Sequence, residues 1–134
     1  MIKPDAVESG KWGQIIDHII AEGYKILGAK MKRMSEAEAR EFYAVHRERP
    51  FYGELVEFMS SGPSILLALE KANAVSAWRE TIGVTDPAEA AAGTIRAKYA
   101  ENKGRNAVHG SDSDENAQKE IAFFFSEAEL ILNQ

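Results

Sequence analysis

Two strand-like stretches, with helical patterns around them, constrain the fold more than any other feature. Residues 24–34 alternate, with Leu27, Ala29 and Met31 set against lysines, which predicts a strand with one buried and one wetter face. Residues 65–69 form a continuous apolar run, which is typical of a central strand. Because a sheet that is covered on one side is usually antiparallel, we expect these two strands to belong to an antiparallel sheet.

Helical patterns surround both strands. Ser35 and Glu38 form a capping-box pair that opens a helix. Asn73 is expected to cap another helix that ends at Gly83, and Gly23 fits the end of the first helix. Apolar stripes at helical spacing support the first and the last helix: Ile15, Ile16, Ile19 and Ile20, and then Ala117, Ile121, Phe124 and Phe125.

Two further strands complete the expected fold. One should end near Pro4, because proline cannot donate to a strand ladder, and a short one should lie around Ala107 and Val108. The element order is then β-α-β-α(α)-β-α-β-α. This order predicts an α+β fold, a ferredoxin-like split β-α-β sandwich whose four-stranded antiparallel sheet is covered by helices, mainly on one face. We expect a single domain over residues 1–134.

Composition narrows the classes of function. The formal net charge of −5 gives no general attraction to nucleic acid or to anionic membranes, so an anion site must be a local basic cluster. The absence of cysteine excludes disulfides, a thiolate nucleophile and a Cys-based zinc site. No apolar run approaches the roughly 18 residues that a membrane span needs, and no signal-peptide pattern is present. We therefore expect a cytoplasmic protein without a membrane partner.

Residues 104–113 hold the densest group of reactive side chains, reading Gly-Arg-Asn-Ala-Val-His-Gly-Ser-Asp-Ser. Gly110, beside His109, permits close approach of a ligand. A serine or aspartate at 111–113 could cap the last helix and place free backbone N–H groups near the imidazole, a setting that suits phosphate. Four cations near predicted element ends could form a phosphate cradle: Lys3, Arg79, Arg96 and Arg105.

Several kinds of catalytic site do not fit the sequence. It contains neither a Walker loop nor a kinase-type glycine-rich loop, and its three histidines are too widely spaced for a zinc motif. Ser111, His109 and Asp112 are too close together for a hydrolase triad. An imidazole that is itself the nucleophile fits better. Glu120, at the border of the last apolar stripe, could then hydrogen-bond the ring and stabilise its developing charge.

The segment Asn-Ala-Val-His-Gly-Ser-Asp-Ser closely resembles the active-site signature of nucleoside diphosphate kinases. The resemblance implies transfer of the γ-phosphate of a nucleoside triphosphate to a nucleoside diphosphate, by a ping-pong route through a phosphohistidine. Such a reaction maintains (deoxy)nucleoside triphosphate pools. The resemblance extends along nearly the whole chain: Ile2-Lys3-Pro4-Asp5, Arg49-Pro50-Phe51, Met59-Ser60-Ser61-Gly62-Pro63, Gly83-Val84-Thr85-Asp86-Pro87 and Gly93-Thr94-Ile95-Arg96.

The resemblance also implies a role for each matching residue. His109 would be the phosphorylated nucleophile, with Glu120 and Ser111 supporting it and Tyr43 lining the site. Phe51 would stack on the base, which is an unselective contact because every base has a π-face. Lys3, which would also belong to the catalytic set, and Asn106 would contact the sugar and its 3′-hydroxyl. The phosphates would be held by Arg79, Thr85 and Arg96, and Val108 would lie beside the base.

Mg²⁺ would be bound with the nucleotide and would take no ligand directly from the protein, with Asp112 as the candidate for a contact through water. The resemblance further implies a homo-oligomer, either a tetramer or a hexamer. In the family the first strand usually starts several residues before Met1, and the loop before Gly93 often has a second proline where this chain has Ala92. These departures leave the assembly open.

Two alternatives to the kinase remain. One is a catalytically silent nucleotide- or protein-binding regulatory module of the same fold, which loss of His109, Lys3 or a phosphate arginine would favour. All of these residues are present. The other is a histidine phosphocarrier that accepts phosphate from a protein, which would leave Phe51 and Asn106 without a nucleotide to hold. Nucleic acid is not expected as the main ligand of an acidic chain.

Overall fold

The computed structural model describes residues 1–132. Within this range, none of the helices is long and apolar enough to cross a membrane. The strands are β1 Lys25–Lys32 and β2 Ser64–Glu70, and 3₁₀ turns lie at Ala44–His46 and Glu127–Glu129. The α-helices are α1 Pro4–Glu8, α2 Trp12–Ala21, α3 Glu36–Phe42, α4 Tyr52–Met59, α5 Ala74–Ile82, α6 Ile95–Tyr99 and α7 Asp114–Phe124.

The sheet is shorter than the sequence predicts. β1 and β2 pair antiparallel, and Ile2 adds single antiparallel bridges to Ile65 and to Val108. The four predicted strands thus correspond, within residues 1–132, to two regular strands and two one-residue bridges. At the first bridge the chain turns at once into α1, whose first residue is Pro4, a position where the missing N–H has no helical partner to lose. At the second, Ala107 has a φ of 72°, which interrupts an extended strand.

The buried face predicted for β1 is wrong beyond a bulge. The register with β2 shifts just before Gly28. Leu27 packs against the cluster around Phe125, and a Cβ on Gly28 would lie 3.1 Å from the Phe125 ring. Two consecutive residues therefore face the same side, which reverses the alternation that follows. Ala29 and Met31 consequently face solvent, with Met31 53% exposed.

Side-chain caps start three of the helices. The predicted capping box is confirmed, since Ser35 Oγ accepts from the backbone N–H of Glu38 and Glu38 accepts from that of Ser35. Ser113 caps α7 by accepting from the backbone N–H of Asn116. Thr94 caps α6, a helix that the sequence did not predict.

Two details of the predicted helices need correction. Ile15 and Ile19 are fully buried, but Ile20 is 58% exposed, so the apolar face of α2 is narrower than the four-isoleucine stripe. Asn73 precedes α5, but its backbone is left-handed and its side chain makes no capping hydrogen bond. The left-handed conformation, which asparagine tolerates better than most residues, explains its presence there.

Both faces of β2 are covered. Ile65 belongs to the largest buried cluster, together with residues of α2 and α5, whereas Leu66 and Ala68 pack with Phe125 just beyond α7. The prediction that helices lie mainly on one face is therefore wrong. A third cluster joins α3 to α4. Val108 is fully buried in the largest cluster, and so fixes to the core the segment that leads into His109.

Candidate active site

A short hydrogen bond joins the imidazole of His109 to the carboxylate of Glu120. Nε2 of His109 lies 2.6 Å from Oε1 of Glu120, and Ser111 Oγ donates to the same oxygen at 3.0 Å. Both partners of the short bond are 25% exposed. Glu120 arrives from α7, which begins directly after this segment at its Ser113 cap. The pair therefore consists of a half-buried imidazole oriented by a half-buried carboxylate.

The electrostatics favour a neutral imidazole and an ionised carboxylate at neutral pH. Burial lowers the pKa of His109, and the Glu120 hydrogen bond opposes that effect without cancelling it. Burial also acts to raise the pKa of Glu120, but hydrogen bonds from His109 and Ser111 outweigh it and leave the pKa lowered. A neutral ring with Nε2–H donating to Glu120 keeps a lone pair on Nδ1. Nδ1 is then the nitrogen able to act as a nucleophile.

The backbone of His109 is held on both of its polar groups. Its N–H donates to the Met1 carbonyl at 2.9 Å, and its carbonyl accepts from Trp78 Nε1 at 3.3 Å and from the Met1 amino group at 3.2 Å. The next residue must be small, because a Cβ on Gly110 would lie 2.6 Å from Cδ1 of Trp78. The role of Gly110 is therefore close packing against the Trp78 ring.

Lys3 and Asn106, which lies three residues before His109 in the chain, form a second polar pair. Lys3 Nζ donates to Asn106 Oδ1 at 2.8 Å, and Asn106 Nδ2 donates to the Thr85 carbonyl at 3.5 Å. Lys3 is only 8% exposed and Asn106 only 5%. Burial lowers the pKa of Lys3 to about 8, while the charge of Asp5 opposes this effect. A lysine that is still charged at neutral pH but weakly solvated suits contact with an anionic or polar ligand.

Arg96 links three segments of the site through backbone carbonyls. Its guanidinium donates to Gly83 at 2.9 Å, to Val108 at 2.9 Å and to Asn106 at 3.4 Å. A neighbouring cleft of about 630 Å³ is lined by Arg79, Thr85 and Arg96, among other residues. The structure thus brings together the three residues that the sequence assigns to phosphates.

A series of aromatic rings leads from His109 toward the surface. The Tyr43 ring lies edge-on to His109 at 6.1 Å between centroids, and His46 stacks on Tyr43 at 6.4 Å. Phe51, 43% exposed, lies 5.6 Å from His46. Burial, followed by the charge of Glu120, raises the pKa of Tyr43, so its hydroxyl remains a donor. Phe51 is exposed enough to contact a ligand, but it does not line the cleft beside Arg79.

The remaining predicted residues differ in accessibility. Val108 is fully buried, so its side chain is not open to a ligand in this conformation. Asp112 is exposed and accepts from Asn116 Nδ2 at 2.6 Å, a bond that leads the lowering of its pKa. Within residues 1–132, histidine and acidic side chains do not gather in groups of three or more that could hold a metal ion.

Three residues at this site were missed by the sequence analysis. Asp5 accepts from the backbone N–H of Ala107 at 2.9 Å, Trp78 donates to His109, and the Phe42 ring lies 5.5 Å from the imidazole. Asp5 directly follows Lys3 and Pro4, so its carboxylate is visible in the sequence next to a candidate site residue. Trp78 and Phe42 carried no signal beyond an apolar helix face.

Comparison with known proteins agrees with this geometry. The family model described as nucleoside diphosphate kinase matches residues 1–130. The nucleoside diphosphate kinase of Campylobacter fetus subsp. fetus is 57% identical over 130 residues, which cover 97% of this chain and 95% of the relative. That of Chloroherpeton thalassium is 56% identical over 133 residues, covering 99% and 94% respectively.

Solved structures give the same result. The Aquifex aeolicus nucleoside diphosphate kinase is 52% identical, with a TM-score of 0.94 over 96% of this chain and 94% of that one. A halophilic nucleoside diphosphate kinase from Halobacterium salinarum, solved in complex with CDP, is 39% identical, with a TM-score of 0.93 over 99% of this chain and 89% of that one. With agreement in sequence and fold over nearly its whole length, the chain belongs to the nucleoside diphosphate kinase family.

Proposed function

We propose that this protein transfers the γ-phosphate of a nucleoside triphosphate to a nucleoside diphosphate through a phosphohistidine on His109, and so maintains (deoxy)nucleoside triphosphate pools. The observation that carries this proposal is the 2.6 Å bond between His109 Nε2 and Glu120. It engages one ring nitrogen and leaves the other as the nucleophile. The bond also aligns the ring, a condition for in-line attack on phosphorus.

The reaction proceeds in two balanced steps. His109 Nδ1 attacks the γ-phosphorus, the bond between that phosphorus and the β–γ bridging oxygen breaks, and the nucleoside diphosphate leaves with the electron pair. A β-phosphate oxygen of the second nucleoside diphosphate then attacks the same phosphorus, and the P–N bond returns its electrons to Nδ1. Glu120 stabilises the positive charge that the phosphorylated ring carries, and Ser111 keeps the carboxylate in place.

We infer that the polar residues around the cleft hold the nucleotide. Arg79, Thr85 and Arg96, which line it together, bind phosphates, because guanidinium groups match phosphate oxygens. Lys3 and Asn106 bind the sugar and its 3′-hydroxyl, and Lys3 adds positive charge near the reacting phosphate. Their mutual bond at 2.8 Å supports this, because it orients both groups before the ligand arrives.

The base would stack on Phe51, whose exposed ring offers a flat apolar surface. Tyr43 lines the site beside His109 and supports the imidazole from its edge. For Val108 we infer an indirect role in nucleotide binding, because its side chain is buried in the core and anchors there the segment that carries Asn106 and His109. This scheme includes no base-edge readout, so we expect the site to accept nucleotides with different bases.

Mg²⁺ would arrive with the nucleotide and remain on its phosphates. When bound, the cation offsets negative charge on the phosphates. Asp112 is exposed, with a lowered pKa, and is therefore suited to a contact through a coordinated water.

We further infer a homo-oligomer, tetramer or hexamer, working in the cytoplasm as one domain over residues 1–134. Exposed apolar Met31 on the edge strand β1 supports assembly, because such an edge is normally covered. We also infer that Ile2 belongs to an inner strand, and Val108 to an outer strand, of a four-stranded ferredoxin-like sheet. The order β1, β2, Ile2, Val108 that the bridges define supports this arrangement.

The silent regulatory module is not favoured, because the reactive pair and the phosphate residues are retained together. Initial velocities measured with ATP as donor and GDP as acceptor test the proposed route. Double-reciprocal plots at several fixed GDP concentrations should be parallel, and intersecting lines would point to direct transfer between two bound nucleotides. His109→Ala should abolish transfer. Its matched control is His18→Ala, which alters a histidine on α2 that bonds Lys98 and Glu22 instead. It should leave the pattern unchanged.

A further inference from the structure

The residue between the sugar-binding Asn106 and the buried Val108 has an unusual backbone. Ala107 has a φ of 72°, and the N–H of Val108 donates to the carbonyl of Asn106 at 2.9 Å. An i to i+2 hydrogen bond around a positive φ is a γ-turn of the rare, strained hand. A residue with a Cβ keeps such a conformation only where surrounding contacts hold it. Ala107 is fully buried, so those contacts come from the protein interior.

The contacts come from two sides. At the start of α1, Asp5 Oδ2 accepts from the Ala107 N–H at 2.9 Å, and the Lys3 N–H donates to the Ala107 carbonyl at 2.8 Å. On the other side Arg96 binds the carbonyls of Asn106 and Val108. Within the described residues, Asp5 is the only acidic side chain among these contacts that holds the turn.

Asp5 is an unusual residue to find in this position. It is 3% exposed, and its second oxygen, Oδ1, has no hydrogen-bond partner among residues 1–132. Burying a carboxylate with one unpaired oxygen is costly unless an opposite charge compensates it. The nearby Lys3 ammonium supplies that charge, and the charge of Asp5 in turn opposes the lowering of the Lys3 pKa by burial.

We propose that Asp5 is a positioning residue for phosphate transfer, which holds the Ala107 turn and so aims Asn106 at the sugar and His109 at the phosphorus. This inference rests on the proposed function. Asp5 touches no reacting atom and acts in two ways. Its oxygen fixes the turn, and its charge keeps Lys3 protonated.

The two actions predict different pH behaviour. Without the negative charge of Asp5, the pKa of Lys3 should fall below its present value of about 8. The decline in activity that follows deprotonation of Lys3 should then occur at a lower pH. The fixed turn, in contrast, does not titrate in this range. The charged or titratable groups that act on Lys3 or Asp5 are Arg96, Arg105, His109 and the Met1 amino group.

The test measures the single-turnover rate constant of His109 phosphorylation by saturating MgATP, from pH 6 to pH 10, together with melting temperature. Asp5→Ala should lower the rate constant about 10- to 100-fold, the range expected when a reacting group is misplaced by about 1 Å. In the double variant, Asp5→Ala with Ala107→Gly, much of that loss should be recovered, because glycine adopts a positive φ without help. A merely structural role for Asp5 in α1 would not be rescued at residue 107.

Asp5→Asn separates the charge from the hydrogen bond, because its amide oxygen can still accept from Ala107. Its rate constant at pH 7 should exceed that of Asp5→Ala. The alkaline limb of its pH–rate profile, where the rate constant falls as Lys3 loses its proton, should move down by roughly one pH unit. Glu8→Ala, an exposed carboxylate lost from the same helix, is the control and should match the parent in both respects.

A rate constant of Asp5→Ala within twofold of the parent, or a double variant no faster than Asp5→Ala, would overturn the positioning role. If Asp5→Ala does not fold, Asp5→Asn decides the matter, and an unshifted alkaline limb overturns the inference. The parent protein is measured in parallel. Failure of the parent to become phosphorylated would count against the proposed function, whereas a phosphorylated parent with indifferent variants would count against Asp5 alone.

Discussion

Glu120 holds Nε2 of His109 at 2.6 Å, and this contact determines which nitrogen of the ring can react. With Nε2–H donating to the carboxylate, Nδ1 keeps its lone pair. Burial meanwhile lowers the pKa of His109. The ring is therefore still neutral at pH values at which an ordinary histidine, with a pKa of about 6.5, is already protonated. The pair thus sets the tautomer and the orientation of the nucleophile, while burial keeps it neutral.

Removal of Glu120 should slow the reaction without abolishing it. Glu120→Ala is expected to lower kcat by about 10- to 100-fold, comparable to losing the partner that orients a functional histidine. The ring would lose its preferred tautomer, but Nδ1 would still be present. Steady-state rates measure the effect, and Glu115→Ala, an exposed carboxylate in the first turn of the same helix, should leave them unchanged. Equal rates in the two variants would remove Glu120 from the mechanism.

Activity should fall as the pH rises through about 8. The active form of Lys3 is charged, and burial lowers its pKa to about 8, so deprotonation begins well below the pH at which an ordinary lysine titrates. A profile of kcat/KM from pH 6 to pH 10 should show this limb. In Lys3→Arg the limb should disappear, whatever the absolute rate, because arginine does not deprotonate in this range. Persistence of the limb in that variant would assign it to another group.

The Phe51 ring should contribute to binding rather than to the chemical step. Phe51→Leu should raise KM for the nucleotide by about fivefold or more, since base stacking is worth about 1–3 kcal/mol, while kcat changes much less. Titration of a nucleotide analogue gives an independent Kd. Phe123→Leu, which also alters a partly exposed aromatic ring, is the matched control, and a KM unchanged in both would show that the base lies elsewhere.

Close packing at Gly110 should make a methyl group intolerable there. A Cβ would approach the Trp78 ring to 2.6 Å, so Gly110→Ala should destabilise the fold by about 1–3 kcal/mol through overpacking and displace the carbonyl of His109 from Trp78. Gly13→Ala is the opposite control, because nothing lies within 4 Å of a Cβ there and alanine favours α2 by up to about 1 kcal/mol. Thermal unfolding should give shifts of opposite sign, and shifts of the same sign would contradict this interpretation.

Local signals in the sequence predicted local structure well. The Ser35 and Glu38 capping box and the Ser113 cap are both present, because each depends on residues three positions apart. The faces of β1 could not be predicted, because the bulge before Gly28 is seen only in the pairing with β2, and Gly28 packs against Phe125, almost a hundred residues away. Pattern reasoning assumes an unbroken alternation, and one inserted residue reverses it.

In the candidate site, too, features that depend on neighbouring residues could be predicted, and features that depend on distant contacts could not. The grouping of His109 with Ser111 follows from adjacency in sequence, and the arrival of Glu120 follows from the helix that Ser113 opens. Arg96 was predicted to hold phosphate, yet its bonds to three backbone carbonyls need tertiary structure to be seen. Asp5 was overlooked for the same reason, since its partner Ala107 lies at the other end of the chain.

The central claim is that Nδ1 of His109 carries the phosphoryl group between the two nucleotides. Incubation with γ-labelled ATP and Mg²⁺, without acceptor, followed by ³¹P–¹H correlation NMR of the folded protein, tests it most directly. We expect one phosphohistidine substituted at Nδ1, stable to alkali, lost in acid, discharged by a nucleoside diphosphate and absent from His109→Ala. An unlabelled protein that still binds nucleotide, or a label on Nε2 instead, would contradict it.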